Sequence, residues 1–364
     1  QGVYVDRQGQ RFLVRQPTDK TVFFTELFAG LIITAAKKHK QVLIPKDLHD
    51  SLICADLIEF PDHTYGLIQP LVELTELHQL IGTSDSAKSD RSAWYESLWG
   101  AQQYQKINAI DNQKCGLSTA ILWSLALGAY SVHSGKLAVL NKANAKIGNY
   151  KQFTRQGWGD AFRYFGQPEN NVDILNPYEY QTPTWLFIDL NIKQLTKNYL
   201  NKNIANIPGV FEQTAKRAET LYATIKNEEI LEEIILEAIN HIPNNVFTSV
   251  DLLKIRDTIC LPSVMAAFSN HENGNKMFAR DMANIIRDRI QKTTKLESKN
   301  ITPNTPMYQS INLNSPSTEL SNSVNNNAAM SNSMHQQPKY NYSIRREELL
   351  ALNLTSTTNT WLSH

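Results

Sequence analysis

The order of patterned segments in the first half of this 364-residue chain constrains its fold more than any single motif. Arg11-Phe12-Leu13-Val14-Arg15 is a short apolar run after the turn-forming Asp6-Arg7-Gln8-Gly9, and it reads as a hairpin strand. Phe24, Leu27, Phe28, Leu31, Ile32 and Ala35 then recur at helical spacing, which predicts a helix carrying Glu26. Gln41-Val42-Leu43-Ile44-Pro45 and Thr64-Tyr65-Gly66-Leu67-Ile68-Gln69-Pro70 are β-like runs that stop at prolines, with Gln69 to Leu74 as a hinge. After the polar loop Gly82-Thr83-Ser84-Asp85-Ser86, helical patterning resumes at Trp94 to Trp99 and at Ser118 to Leu127. Short strands followed by helices predict an α+β chain, β-rich over 1–72 and mainly helical over 73–298.

Two polar, glycine-bearing loops flank an apolar strand in the middle of this order. The first is Gly128-Ala129-Tyr130-Ser131-Val132-His133-Ser134-Gly135-Lys136, leading into Leu137-Ala138-Val139. The second is Thr154-Arg155-Gln156-Gly157-Trp158-Gly159-Asp160-Ala161-Phe162-Arg163. Together they resemble the catalytic and metal-binding loops of an atypical kinase family in secreted Dot/Icm effectors of Legionella-type intracellular bacteria. That family includes the phosphoinositide-kinase-like domains of LepB and MavQ. Its first loop looks like Gly-Asp-Tyr-x-x-His-Ser-Gly-Asn and its second like Arg-Ile-Asp-Phe-Gly-x-Ala-Phe-Arg. Tyr130, His133, Ser134 and Gly135 match. Ala129 stands where an Asp is expected, Lys136 where the metal-binding Asn is expected, and Gly157 where the metal-binding Asp is expected.

The resemblance implies a bilobal protein-kinase-like fold, with a small β-rich N-lobe over 1–72 and a larger, mainly helical C-lobe over 73–298. It places Arg15 at the phosphate-pairing lysine, Glu26 as its ion-pair partner on the helix, and His133 as the base. Asp160, three residues past Gly157, is the available replacement metal ligand. Phosphoryl transfer depends on positioning and on Mg²⁺ held by carboxylate or carboxamide oxygens, and all three departures remove such groups. Ala and Gly cannot ligate through a side chain, and Lys136 puts a cation where a dication would sit.

The first expectation is therefore a pseudokinase that has lost metal-dependent phosphoryl transfer. It would need no cofactor and would bind a host or bacterial protein, or a phosphorylated small molecule such as a phosphoinositide. Arg15 and Lys136 would then form an anion site. The second is an active atypical phosphoinositide or protein kinase using ATP with Mg²⁺ or Mn²⁺ and non-standard ligands. The third is repurposed chemistry on the same fold, such as adenylyl transfer. Taken singly, Glu26 also reads as a solvated charge near a helix start, Arg15 as a surface residue at a strand end, and His133 as a structural histidine.

Composition narrows the classes further. Lys plus Arg number 36 and Asp plus Glu 35, so the formal charge of +1 gives no global field for nucleic acid. Cys54, Cys115 and Cys260 are too few and too far apart for a disulfide framework or a metal site. No apolar run approaches the ~20 residues of a bilayer span, and the visible start has no signal-peptide pattern, so only peripheral membrane contact is expected. Phe211 to Ile242 reads as a helical stripe ended by Pro243, Ser249 as the start of a capped helix, and Asn275 to Lys295 as an amphipathic segment. The stretch 299–342 is rich in Asn, Ser, Thr, Pro and Gln, and is predicted to be a disordered linker. A short charged helix, Ser343 to Leu350, and a polar tail occupy 343–364. The Glu347-Glu348 pair in that tail resembles a Dot/Icm translocation signal, implying secretion into the host-cell cytoplasm. A helix that docks on the domain is the plain alternative.

Overall fold

The structure is a computed structural model that describes residues 2–81, 116–132, 135–144, 148–177, 204, 207–269 and 273–297. The chain divides into two units, Gln1–Lys299 and Asn300–His364. The second unit, with the linker, helix and tail expected there, lies outside the described residues. So do Gly82 to Ser86, Trp94 to Trp99, Cys115, His133 and Ser134.

Strands β1 (Gly2–Val5) and β2 (Arg11–Arg15) form the hairpin expected around Asp6 to Gly9. Its turn is closed by the Asp6 carboxylate, which accepts from the backbone N–H groups of Gln8 and Gln10. Helix α1 (Lys20–Lys38) follows at once, capped by Asp19, whose side chain accepts from Thr21 N at 2.8 Å. Strands β3 (Asp56–Glu59) and β4 (Tyr65–Pro70) complete a four-stranded antiparallel sheet in the order β1-β2-β4-β3. A second, three-stranded antiparallel sheet joins β5 (Thr75–Glu76), β6 (Leu137–Asn144) and β7 (Gly148–Arg155). Between β5 and β6 lie α2 (Leu77–Ile81) and α3 (Leu117–Ala126), the latter buried along its whole length.

The remaining α-helices among the described residues are α4 (Val210–Ile225), α5 (Glu228–Asn240), α6 (Ser249–Ile259), α7 (Ser263–Ala267) and α8 (Gly274–Thr293). Helix α1 is the centre of the core. Phe23, Phe24 and Phe28 are buried, and Phe24 meets Phe28, Phe247 and Phe268 at centroid distances of 5.2, 5.6 and 6.2 Å. Phe28 extends this cluster to Phe162 at 5.5 Å and to Phe278 of α8 at 5.4 Å. Stacked, edge-on and tilted contacts of this kind add to the area burial that drives the packing. Gly30 is required here, because a Cβ would fall 2.2 Å from the Ala55 carbonyl oxygen.

Two expectations are corrected. Gln41 to Pro45 forms no strand: Leu43 and Ile44 are both buried, which a strand alternating between core and solvent does not permit, and His49 Nε2 bonds the Ile44 carbonyl at 3.1 Å. The single stripe from Phe211 to Ile242 is two helices. Asn227 breaks it, since its side chain accepts from Glu229 N and caps α5 instead of continuing α4.

Candidate functional site

The β6–β7 hairpin brings the two loops together. Its register pairs Leu137 with Arg155, and Gln156 N–H then donates to the Lys136 carbonyl at 3.1 Å. Lys136 and Gly157, 21 positions apart in sequence, are thereby neighbours. Gly157 has φ +75°, the left-handed region that Gly adopts freely and Asn or Asp tolerate better than other residues. A Cβ on Gly157 would lie 2.6 Å from Lys136 Nζ, 3.2 Å from its Cδ and 3.3 Å from its Cε. The lysine side chain fills the space that a side chain at 157 would need. It is half-buried, and among the described residues its ammonium has no hydrogen-bond or ion-pair partner.

On the other side of this loop, Glu26 is only 4% exposed, so the solvated-charge reading does not hold. Its Oε1 lies 3.4 Å from Arg15 Nη2, and its Oε2 accepts the Trp158 backbone N–H at 2.8 Å. Arg15 also donates to Gln69 Oε1 at 3.1 Å, while its Nε is buried without a partner. The neighbouring Thr25 hydroxyl donates to the Gly159 carbonyl at 2.9 Å, and Trp158 Nε1 donates to the Ile53 carbonyl at 2.9 Å. Helix α1 thus holds the second loop through a carboxylate and a hydroxyl one residue apart.

Asp160 faces the first loop. Its Oδ2 accepts the Ser131 N–H at 2.8 Å, and its Oδ1 lies 3.5 Å from Arg155 Nη2. Arg155 is fully buried. It donates to the Ser124 hydroxyl, to the Ala129 carbonyl at 2.8 Å and to the Gly157 carbonyl at 3.5 Å, and it stacks 4.3 Å from the Trp158 ring. Burial pushes the guanidinium below its ordinary pKa, and the charges of Asp160 and Glu26 push back. Asp160 is therefore a brace between the loops, with both oxygens already engaged.

A second buried guanidinium supports the first loop from behind. Arg289 of α8 donates to the Leu125 carbonyl at 2.7 Å, to Asn171 Oδ1 at 2.7 Å and to the Tyr130 hydroxyl. Tyr130 in turn donates to the Ile174 carbonyl at 2.8 Å.

Four of the five residues singled out by sequence therefore surround one stretch, Gly157 to Asp160: Arg15, Glu26, Lys136 and Asp160. The fifth, His133, lies outside the described residues. Arg15 with Glu26 and Arg155 with Asp160 cancel as pairs, leaving the Lys136 ammonium as the uncompensated charge among the described groups of this patch. Of the two positions that the kinase resemblance marks as metal ligands, one is glycine and the other a lysine lying over it, and neither side chain can ligate a divalent cation. Among the described residues no group of three or more His, Cys, Asp or Glu is placed to hold a metal ion, and no helix is long and apolar enough to cross a membrane.

Sequence reasoning gave no role to Arg155 or Arg289. Their signal was present, since Arg155 ends an apolar strand before Gly-Trp-Gly, and Arg289 falls on the buried stripe of α8 beside Ile286 and Ile290. A cation at a core position of an amphipathic pattern announces a buried polar network.

The family model of the LepB N-terminal domain matches residues 65–298. The crystal structure of an N-terminal 618-residue fragment of LepB from Legionella pneumophila matches at 31% identity with a TM-score of 0.57, covering 81% of this chain and 46% of that fragment. The chain thus spans about half the length of the solved fragment. No curated protein matches.

Proposed function

Since the chain belongs to the LepB N-terminal domain family, we propose that it is a pseudokinase-like effector domain, retaining a kinase-derived framework and acting by binding rather than by metal-dependent phosphoryl transfer. In this reading β1 to β4 with α1 are the small lobe, the second sheet and later helices the large lobe, and the segment after Pro70 the hinge. The effector would be secreted into the host-cell cytoplasm and engage a host or bacterial partner there.

One observation carries the proposal: the Lys136 side chain lies over Gly157, in the space of a side chain at that position. In the resembling kinases those two residues are the Asn and Asp that ligate Mg²⁺, whose chemistry when bound is to neutralise the phosphate charge that develops during transfer. Here the two positions are spatial neighbours and neither has a side-chain oxygen. Asp160, the replacement ligand of the active-kinase reading, is engaged by Ser131 and Arg155.

The test is thermal unfolding and phosphate transfer with ATP, with and without Mg²⁺ or Mn²⁺. The proposal expects no metal-dependent stabilisation and no transfer. A nucleotide at 100 times its dissociation constant adds about 2.7 kcal/mol, so a shift of that size that requires the metal would establish the active kinase instead.

A further inference from the structure

We infer that the outer edge of β1 is a self-association surface, on which a second copy of this chain adds its own β1 antiparallel to the first and joins the two four-stranded sheets into one. The inference rests on the N-terminal sheet alone and is independent of the pseudokinase reading.

Three observations carry it. The first is the direction of the backbone groups. β1 is the end strand in the order β1-β2-β4-β3, so it pairs with β2 on one side only. Asp6 N–H donates to the Gln10 carbonyl, which by the register makes Tyr4 with Phe12 and Gly2 with Val14 the hydrogen-bonded pairs. Val3 and Val5 therefore turn their N–H and C=O groups away from β2, and none of these groups has a partner among the described residues. The second is that this edge carries none of the guards that keep strand edges apart. Gly2-Val3-Tyr4-Val5 has no charge and no proline, and Val3, Tyr4 and Val5 are each half exposed or more. The edge strand on the other side of the sheet, β3, carries Asp56 and Glu59. The third is self-complementarity. Val3-Tyr4-Val5 reads the same in both directions, so a two-fold axis at Tyr4 sets Val3 of one chain opposite Val5 of the other, and Tyr4 opposite Tyr4. Every outward valine N–H then meets a valine carbonyl, the tyrosines form an aromatic cross-strand pair, and no like charges face each other. Tyr4 shares its sheet face with the half-buried Phe12, so the same pairing joins two apolar strips. The palindrome is what selects a second copy over a strand of unrelated sequence.

A strand pair this short sits at the small end of interface sizes, so sedimentation velocity of the full chain should pass from the mass of one chain to that of two between about 5 and about 500 μM. Val5→Pro deletes an outward N–H without touching the β1–β2 ladder, and Tyr4→Lys sets two cations opposite each other; each should hold the chain monomeric across that range. Val42→Lys, at a more exposed valine in the loop after α1, should leave association unchanged. Oxidative cross-linking reads the register. Tyr4→Cys should give a disulfide-linked dimer, because residues directly opposite in such a pair have Cα atoms about 4.5 Å apart, whereas Val3→Cys faces Val5 and should not. The unsubstituted chain controls for Cys54, Cys115 and Cys260. A chain that stays monomeric throughout overturns the inference and leaves a strand of another protein as the occupant of this edge. Association that survives Val5→Pro or Tyr4→Lys, or cross-linking through Val3→Cys in place of Tyr4→Cys, overturns it as well.

Discussion

Installing the Asn and Asp that the kinase resemblance expects at positions 136 and 157 gives the most demanding test of the proposed function. Gly157→Asp alone installs a carboxylate, but its Cβ lies 2.6 Å from Lys136 Nζ, so the ammonium must swing aside and then pairs with the new acid. The backbone at φ +75° costs an L residue about 1 kcal/mol, and a half-exposed ion pair returns between ~0.2 and ~1 kcal/mol, so the single variant should be destabilised by about 1 kcal/mol or less. It should still reject metal. A divalent ion about 4 Å from a retained ammonium meets a repulsion of about 8 kcal/mol at an effective dielectric of about 20, twice the value for two unit charges. Lys136→Asn with Gly157→Asp removes that repulsion and supplies two oxygen ligands at neighbouring positions. The double variant should therefore gain a Mn²⁺-dependent rise in unfolding temperature in the presence of ATP, corresponding to about 2.7 kcal/mol at 100 times the dissociation constant. Differential scanning calorimetry of wild type, both single variants and the double variant is the assay. Equal Mn²⁺ shifts in Gly157→Asp and the double variant would refute the role given to Lys136, as would a shift in the wild type.

Other expectations concern the framework. Glu26→Ala strands the Arg15 guanidinium and the Trp158 N–H together, and urea unfolding should report a loss of about 3 kcal/mol, with Glu26→Gln milder; a loss below about 1 kcal/mol would show that the pair is dispensable. Arg155→Met removes the buried guanidinium that faces Asp160 and donates to the Ala129 carbonyl, and should cost at least about 3 kcal/mol by the same measurement. Burial is the largest influence on the Cys54 thiol and pushes it above its ordinary value of 9.0, with Lys37 opposing. A thiol whose folded pKa is raised favours the fold below 9.0, and that stability is lost as pH climbs from there towards the folded value. Cys54→Ala should flatten that alkaline decline, and a decline unchanged by the substitution would assign it to other groups.

Local pattern carried much of this fold. The Asp6 to Gly9 turn, the β2 strand at Arg11 to Arg15, and the α1 and α3 helices were legible because turn chemistry and apolar period point the same way at each. Gln41 to Pro45 misled because a continuous apolar run has no period to separate a strand from a buried irregular segment. The break at Asn227 was hidden because the glutamates and isoleucines on either side keep helical spacing through it. Within the site, the motif order gave Arg15, Glu26, Lys136 and Asp160, yet no linear pattern reveals that Lys136 lies over Gly157. That contact depends on the register of β6 against β7, and a slip of one residue would send the lysine to the other face. The roles of Arg155 and Arg289 were likewise written in partners up to 164 positions away.

The contrast between the residues that the kinase resemblance expects and those this site holds has a physical basis that bears on the proposed function. Glu26, Arg155 and Trp158 are almost wholly buried, and each supports others: the glutamate holds Arg15 and the Trp158 amide, and the arginine holds Asp160 and the Ala129 carbonyl. Removing Glu26 or Arg155 strands a charge inside the protein at about 3 to 5 kcal/mol, a large part of the stability of an ordinary domain. Such residues are held in place by folding whether or not a phosphoryl group is ever transferred. Positions 136 and 157 carry no such charge-stranding penalty, because the lysine is half-buried and its ammonium has no partner among the described residues, and residue 157 has no side chain. The presence of the Arg15–Glu26 pair is thus weak testimony for catalysis, whereas the identities of residues 136 and 157, less tightly held by the buried network, are informative. Both of them lack a side-chain oxygen at the same point in space, and one supplies a positive charge there.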